Sequence, residues 1–86
     1  MTPIGTNEEL WARIDGLIEV LRSRDEEELA DNVEQARRSN MGLTDGWHSM
    51  LDGLVAARSS GESRLRQQER AELNEIIDAT RRALTR

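Results

Sequence analysis

The sequence predicts an all-α fold, a small up-down bundle of four helices. Apolar residues return every three or four positions in four separate segments, which is typical of amphipathic helices. Capping and turn residues separate these segments, and no segment alternates with the period of two that a strand requires. The short connections favour antiparallel neighbours, so the chain is expected to form two antiparallel helical hairpins around one core. A chain of 86 residues fits a single domain, residues 1–86.

The first helix is predicted over about residues 7–23. Thr6 and Glu9 have the spacing of a capping box, in which each side chain accepts a hydrogen bond from the other residue's backbone. Residues 1–5 precede this signal and are expected to form a flexible N-terminus. The apolar stripe that follows is predicted to face the core and consists of Leu10, Trp11, Ile14, Leu17, Ile18 and Leu21.

The second helix is predicted over about residues 26–39 and the third over about 45–59. Asp25 and Thr44 are the expected N-caps, since short polar side chains bond the free backbone amides of a first turn. The second helix contributes a thin stripe to the core, Leu29 and Val33, extended by alanines. The third contributes Trp47, Met50, Leu51, Leu54 and Val55.

The fourth helix is predicted over about residues 63–85, with Leu73, Ile76 and Ile77 in the core. About 22 residues at 1.5 Å each give a length of about 33 Å, longer than the other three helices. The stretch between Leu65 and Leu73 is polar, so this half of the helix is expected to overhang the bundle.

Two tryptophans are the only aromatic residues, and both fall within apolar stripes. Trp11 and Trp47 are therefore predicted to fill the core, with a dimer interface as the alternative for one of them. The segment 11–18 resembles 47–55 with one residue inserted, and each contains an Asp-Gly pair. A chance resemblance is favoured over an internal repeat.

Composition limits the class of protein. The chain has no cysteine, no apolar run long enough to cross a membrane and no signal-peptide pattern, so a cytoplasmic protein is expected. The net charge of −5 repels phosphate backbones, which makes a nucleic-acid-binding regulator the disfavoured alternative. No cofactor is expected, because the sequence contains no nucleotide-binding fingerprint.

Catalysis is not expected, because cysteine, tyrosine and lysine are all missing and no hydrolase motif occurs. The alternative is a metal-dependent or acid–base enzyme that uses the single histidine, His48. Asp45 and Asp52 lie three residues before it and four after it, so the three side chains could share a helix face. One histidine and two carboxylates are an incomplete ligand set, and no metal site is predicted.

The densest charge feature is the acidic run that opens the second helix. Glu27, Asp31 and Glu34 align on one helical face and are predicted to form an acidic patch for a protein partner, with a solvated face as the alternative. The predicted function is thus a small non-catalytic protein–protein interaction domain, with a homodimer through the fourth helix as one form of it. Adaptors and bacterial immunity proteins share this size and composition, an analogy that does not establish function.

Overall fold

The computed structural model describes residues 5–40 and 44–85, and within these ranges it contains four helices and no strand. The helices are α1 (Asn7–Ser23), α2 (Glu27–Arg38), α3 (Thr44–Ser60) and α4 (Gln67–Leu84). The predicted all-α four-helix fold is confirmed. Most of the predicted flexible N-terminus, residues 1–4, lies outside the described residues. Gly5 is described, and its amide donates to Glu9 Oε2 at 3.3 Å.

The helices form a closed ring in which α1 packs against α2, α2 against α3, α3 against α4 and α4 against α1. The ion pairs show that α1 runs antiparallel to both of its neighbours. Arg22 near the end of α1 pairs with Asp31 in the first half of α2, whereas Asp15, earlier in α1, pairs with Arg37 near the end of α2. Arg24, just after α1, pairs with Glu69 in the first turn of α4. The order of the chain is therefore the order of the ring, as in an up-down bundle.

The core is aliphatic and lies along the bundle axis. The buried residues that the sequence predicts are Leu10, Ile14, Leu17, Ile18, Leu21, Leu29, Val33, Met50, Leu54, Leu73, Ile76 and Ile77. Four other residues predicted for the core, Trp11, Trp47, Leu51 and Val55, are only partly buried and pack against its edge. The two indoles stack on each other with ring centroids 5.5 Å apart, so each one covers part of the other.

The predicted start of α4 at residue 63 is wrong, since the helix begins at Gln67. Residues 61–65 form a turn in which the amides of Arg64 and Leu65 both donate to the carbonyl of Gly61 at 2.8 Å. Leu65 is buried, which draws this turn onto the core. With 18 residues, α4 is close in length to α1 and α3, each 17 residues long, and the predicted polar overhang does not form.

Asp25 does not cap α2 as predicted; it ends α1 instead. The α2 N-cap is Glu26, which makes no side-chain capping bond. Asp25 has φ 64°, the left-handed conformation that L-residues adopt at a cost. The Glu26 amide donates to Leu21 O at 2.9 Å and the Asp25 amide to Arg22 O at 3.2 Å. This pair of bonds is a Schellman motif, whose left-handed position favours glycine.

Asp25→Gly is expected to raise the free energy of unfolding by about 0.5–1 kcal/mol, because glycine adopts the left-handed conformation without a steric penalty. Urea denaturation followed by circular dichroism measures the change. Ser23→Gly is the matched control: Ser23 is helical, so this substitution should lower stability by a few tenths of a kcal/mol, roughly. Equal effects of the two substitutions would contradict the prediction.

Candidate protein-docking surface

A groove of about 390 Å³ runs between α1 and the first half of α4. Its α1 side is apolar and its α4 side is polar. The α1 side consists of Ala12, Gly16, Leu17 and Val20 with Arg13 at the edge, and the α4 side of Gln68, Glu69 and Glu72 with Arg66 just before the helix. We call this feature the α1–α4 groove.

Val20 is the most unusual residue of the α1–α4 groove. Its side chain is 48% exposed, and among the residues described it is the large hydrophobic side chain that remains open to solvent. Leu17 lies beside it with only 3% of its surface exposed and forms part of the floor. The groove therefore offers an apolar surface continuous with the core.

The spacing of residues on α1 explains why this surface is open. Ala12, Gly16 and Val20 follow each other at intervals of four and so share one helix face, next to the face that carries the core stripe. Gly16 adds no side chain, and a Cβ atom built there would meet nothing within 4 Å. A partner could thus approach the α1 backbone closely at this point.

One end of the groove is held by Arg13 on α1, which pairs with Glu72 and Glu75 on α4. The distance from Nη2 of Arg13 to the nearest carboxylate oxygen is 2.5 Å in each pair. Hydrogen bonding to Glu72 is the main cause that raises the pKa of Arg13, so the guanidinium stays charged. All three side chains are about one-third exposed, so solvent weakens these pairs.

The other end is held by the ion pair of Arg24, which is partly buried, with Glu69, which is buried. Arg24 Nε donates to Glu69 Oε2 at 2.6 Å, and Arg24 Nη2 donates to Glu69 Oε1 and to the carbonyl of Arg64. Glu69 also accepts from the Arg66 amide at 2.9 Å, which fixes the first turn of α4. The hydrogen bond from Arg24 is the main cause that lowers the pKa of Glu69, and burial opposes it. Ion pairs therefore join α1 and α4 at two positions along the groove, one at each end.

The predicted acidic patch is not a free anionic surface. Arg22 of α1 reaches across to α2 and pairs with Asp31 at 2.9 Å and with Glu34 at 3.0 Å. The Arg22 hydrogen bond is the main cause that lowers the pKa of Glu34, and Arg38 adds a further attraction. Glu27 is exposed, but its two patch neighbours are engaged within the bundle.

His48, Asp45 and Asp52 are all exposed on α3. In the described part of the chain, no group of three or more histidine, cysteine, aspartate or glutamate side chains is placed to hold a metal ion. The geometry therefore adds nothing to the alternative of an enzyme centred on His48.

The side chain of Arg37 lies over the indole ring of Trp11. The guanidinium carbon of Arg37 lies 5.5 Å from the ring centroid of Trp11, within the range of a cation–π interaction. Arg37 Nε also lies 2.9 Å from Asp15 Oδ1. This cluster ties together α1, α2 and α3, and its arginine covers part of the aromatic surface that a dimer interface would need.

The α1–α4 groove is the feature that sequence reasoning missed, although one signal for it exists. Val20 is an apolar residue that falls outside the α1 core stripe and on the same face as Gly16. An apolar side chain on the polar face of an amphipathic helix indicates a surface of that helix that another element can cover.

No protein-family model, curated protein or solved structure matches this chain. Within the described ranges, none of the helices has the length and apolar character that spanning a membrane requires.

Proposed function

We propose that this chain is a small non-catalytic protein–protein interaction domain that docks a basic amphipathic helix of another protein in the α1–α4 groove. The observation that carries the proposal is the 48% exposure of Val20 at the edge of an apolar floor. An adaptor, or an immunity protein that neutralises its target by binding, would work in this way.

The shape of the groove fits a helix. Amphipathic helices bind by placing apolar anchors from one face into a groove between two helices of the partner. Leu17 and Val20 offer contacts for such anchors, while Ala12 and Gly16 leave room for close backbone approach. Because the groove walls are already joined by ion pairs, docking requires little ordering of the domain.

Charge favours a basic partner. Two arginines and two glutamates line the groove, so the lining itself carries no net charge. The excess lies at its edges, where Glu75 shares Arg13 with Glu72 and adds one negative charge. Glu19 is exposed next to Val20 and adds another. A basic helix would be attracted to these groups and to the net charge of −5, which mainly accelerates association.

The same charge argues against a second copy of this chain as the occupant. Two copies would each bring a net charge of −5 and the same acidic groups to the interface. The overhanging half of α4, which motivates a homodimer from the sequence, does not exist.

Val20→Ser is expected to weaken binding of a synthetic basic amphipathic helical peptide by about fivefold, because it removes the exposed apolar contact without changing the charge of the groove. Titration followed by 1H–15N NMR measures both the affinity and the residues affected. In the unmodified domain, the largest shifts are expected at the amides of Gly16 and Val20.

Ala56→Ser is the matched control, since Ala56 is exposed on α3 away from this groove. It should leave peptide binding unchanged. Equal weakening by both substitutions, equal binding of an acidic version of the peptide, or a stable dimer in sedimentation that Val20→Ser dissociates would each overturn the proposal.

A further inference from the structure

A second, polar cleft of about 340 Å³ lies on the other side of α4, between that helix and the end of α3. Arg58 and Ser59 from the last turn of α3 line it, together with Arg70 and Asn74 from α4 and Glu62 from the connecting turn. It shares no lining residue with the α1–α4 groove.

The two arginines of this cleft are held by neutral acceptors. Arg58 Nη1 donates to the side-chain oxygen of Asn74 at 2.8 Å, and Arg70 Nη2 donates to the backbone carbonyl of Glu62 at 2.6 Å. These hydrogen bonds orient both guanidinium groups, and because the acceptors are uncharged they neutralise neither of them.

This arrangement differs from that of the arginines that link other helices of the bundle. Arg13, Arg22 and Arg24 each pair with carboxylates on another helix. Over residues 5–40 and 44–85, by contrast, no ion pair within 4.0 Å involves Arg58 or Arg70. The cleft therefore contains two cations whose charge is still available.

We propose that this cleft binds a phosphoryl dianion through Arg58 and Arg70. Each guanidinium has five N–H donors in a planar fork, a geometry that suits the oxygens of a phosphoryl group, and each uses only one donor in the contacts above. Ser59 supplies a hydroxyl donor at the same cleft. The site is independent of the proposed docking groove and stands whether or not that groove binds a protein.

Charge selects a phosphoryl group over a carboxylate. Two arginines and one glutamate give the cleft lining a formal charge of +1, which attracts a dianion more strongly than a monoanion. The negative charge of Glu62 opposes binding of the phosphoryl group, so a neutral residue at this position should strengthen phosphoryl binding. The phosphoryl group could come from free phosphate or from a phosphorylated residue of a protein partner.

The test is a titration of the full chain with inorganic phosphate at constant ionic strength, followed by NMR of the arginine side-chain Nε–H groups. Saturable shifts are expected at Arg58 and Arg70, with acetate producing much smaller ones. Arg70→Gln should weaken phosphate binding by about tenfold, as expected for the loss of one charge-assisted bidentate contact. Glu62→Gln should strengthen it by roughly twofold to fivefold through the loss of one repulsive charge.

Arg81→Gln is the matched control, because Arg81 is an exposed arginine of the same helix outside this cleft. Unsaturable shifts, equal weakening by Arg81→Gln and Arg70→Gln, or no gain from Glu62→Gln would overturn the proposal. A phosphoserine peptide that binds more tightly than phosphate, with the same response to Arg70→Gln, would assign the site to a modified protein. Equal affinities would assign it to a free anion.

Discussion

Glu69→Gln is expected to lower the free energy of unfolding by about 2 kcal/mol at about pH 7, because it breaks a partly buried ion pair from one side. Glu69 is 5% exposed and accepts two hydrogen bonds from Arg24. Glutamine keeps the shape and one acceptor for the Arg66 amide, so the measured loss reports mainly the missing charge. The expected loss is smaller than for a fully buried pair because the side chain of Arg24 is 18% exposed.

The loss should depend on pH in a defined direction. Arg24 lowers the pKa of Glu69 below its ordinary value of 4.5. The stabilisation from a carboxylate with a lowered pKa is present above its unfolded-state pKa and disappears as the pH falls through the folded-state pKa. The difference between the unmodified chain and Glu69→Gln should therefore be largest near neutral pH and shrink steadily below about pH 4.5.

Urea denaturation at several pH values measures this difference. Glu72→Gln is the matched control, since Glu72 also pairs with an arginine across α1 and α4 but is about one-third exposed. It should cost no more than about 1 kcal/mol. Equal losses for the two variants, or a loss for Glu69→Gln that persists in acid, would mean that the Arg24–Glu69 pair does not stabilise the bundle as described.

This same pair shows why the start of α4 could not be predicted from the sequence. The spacing of apolar residues identifies four helices, because periodicity depends only on near neighbours in the chain. Where α4 begins depends on the local turn at Gly61 and also on a contact between residues far apart, since Arg24 and Glu69 are separated by 45 positions. Within a polar stretch that looks like an overhang, Glu69 is buried and pairs with Arg24.

The candidate surfaces show the same division between local and long-range information. Helical spacing predicts that Glu27, Asp31 and Glu34 share one face, but it cannot show that Arg22 of another helix pairs with two of them. Conversely, the sequence contains the out-of-stripe position of Val20, while only the packing of α4 shows that an open groove lies beside it. The composition of a helix face is readable from the sequence; what covers the face is not.

The similar segments 11–18 and 47–55 each contain an Asp-Gly pair. Substituting the two glycines tests whether similar local sequences have the same effect on stability in different packing environments. Gly16→Ala is expected to raise the free energy of unfolding by about 1 kcal/mol, because alanine favours a helix over glycine. No atom lies within 4 Å of the added Cβ. Gly53→Ala has the same helical gain but places its Cβ 2.7 Å from Ala36 Cβ and 3.2 Å from Ala36 Cα.

A contact this short to the backbone of α2 can be relieved only by moving α2 and α3 apart, which costs about 1–3 kcal/mol in a packed core. Since this cost outweighs the helical gain, Gly53→Ala should lower stability by about 1–2 kcal/mol, opposite in sign to Gly16→Ala. Thermal and urea denaturation of the two variants measure the comparison, and each serves as the control for the other. Stabilisation by both substitutions would mean that α2 and α3 do not approach each other as closely at Gly53 as described.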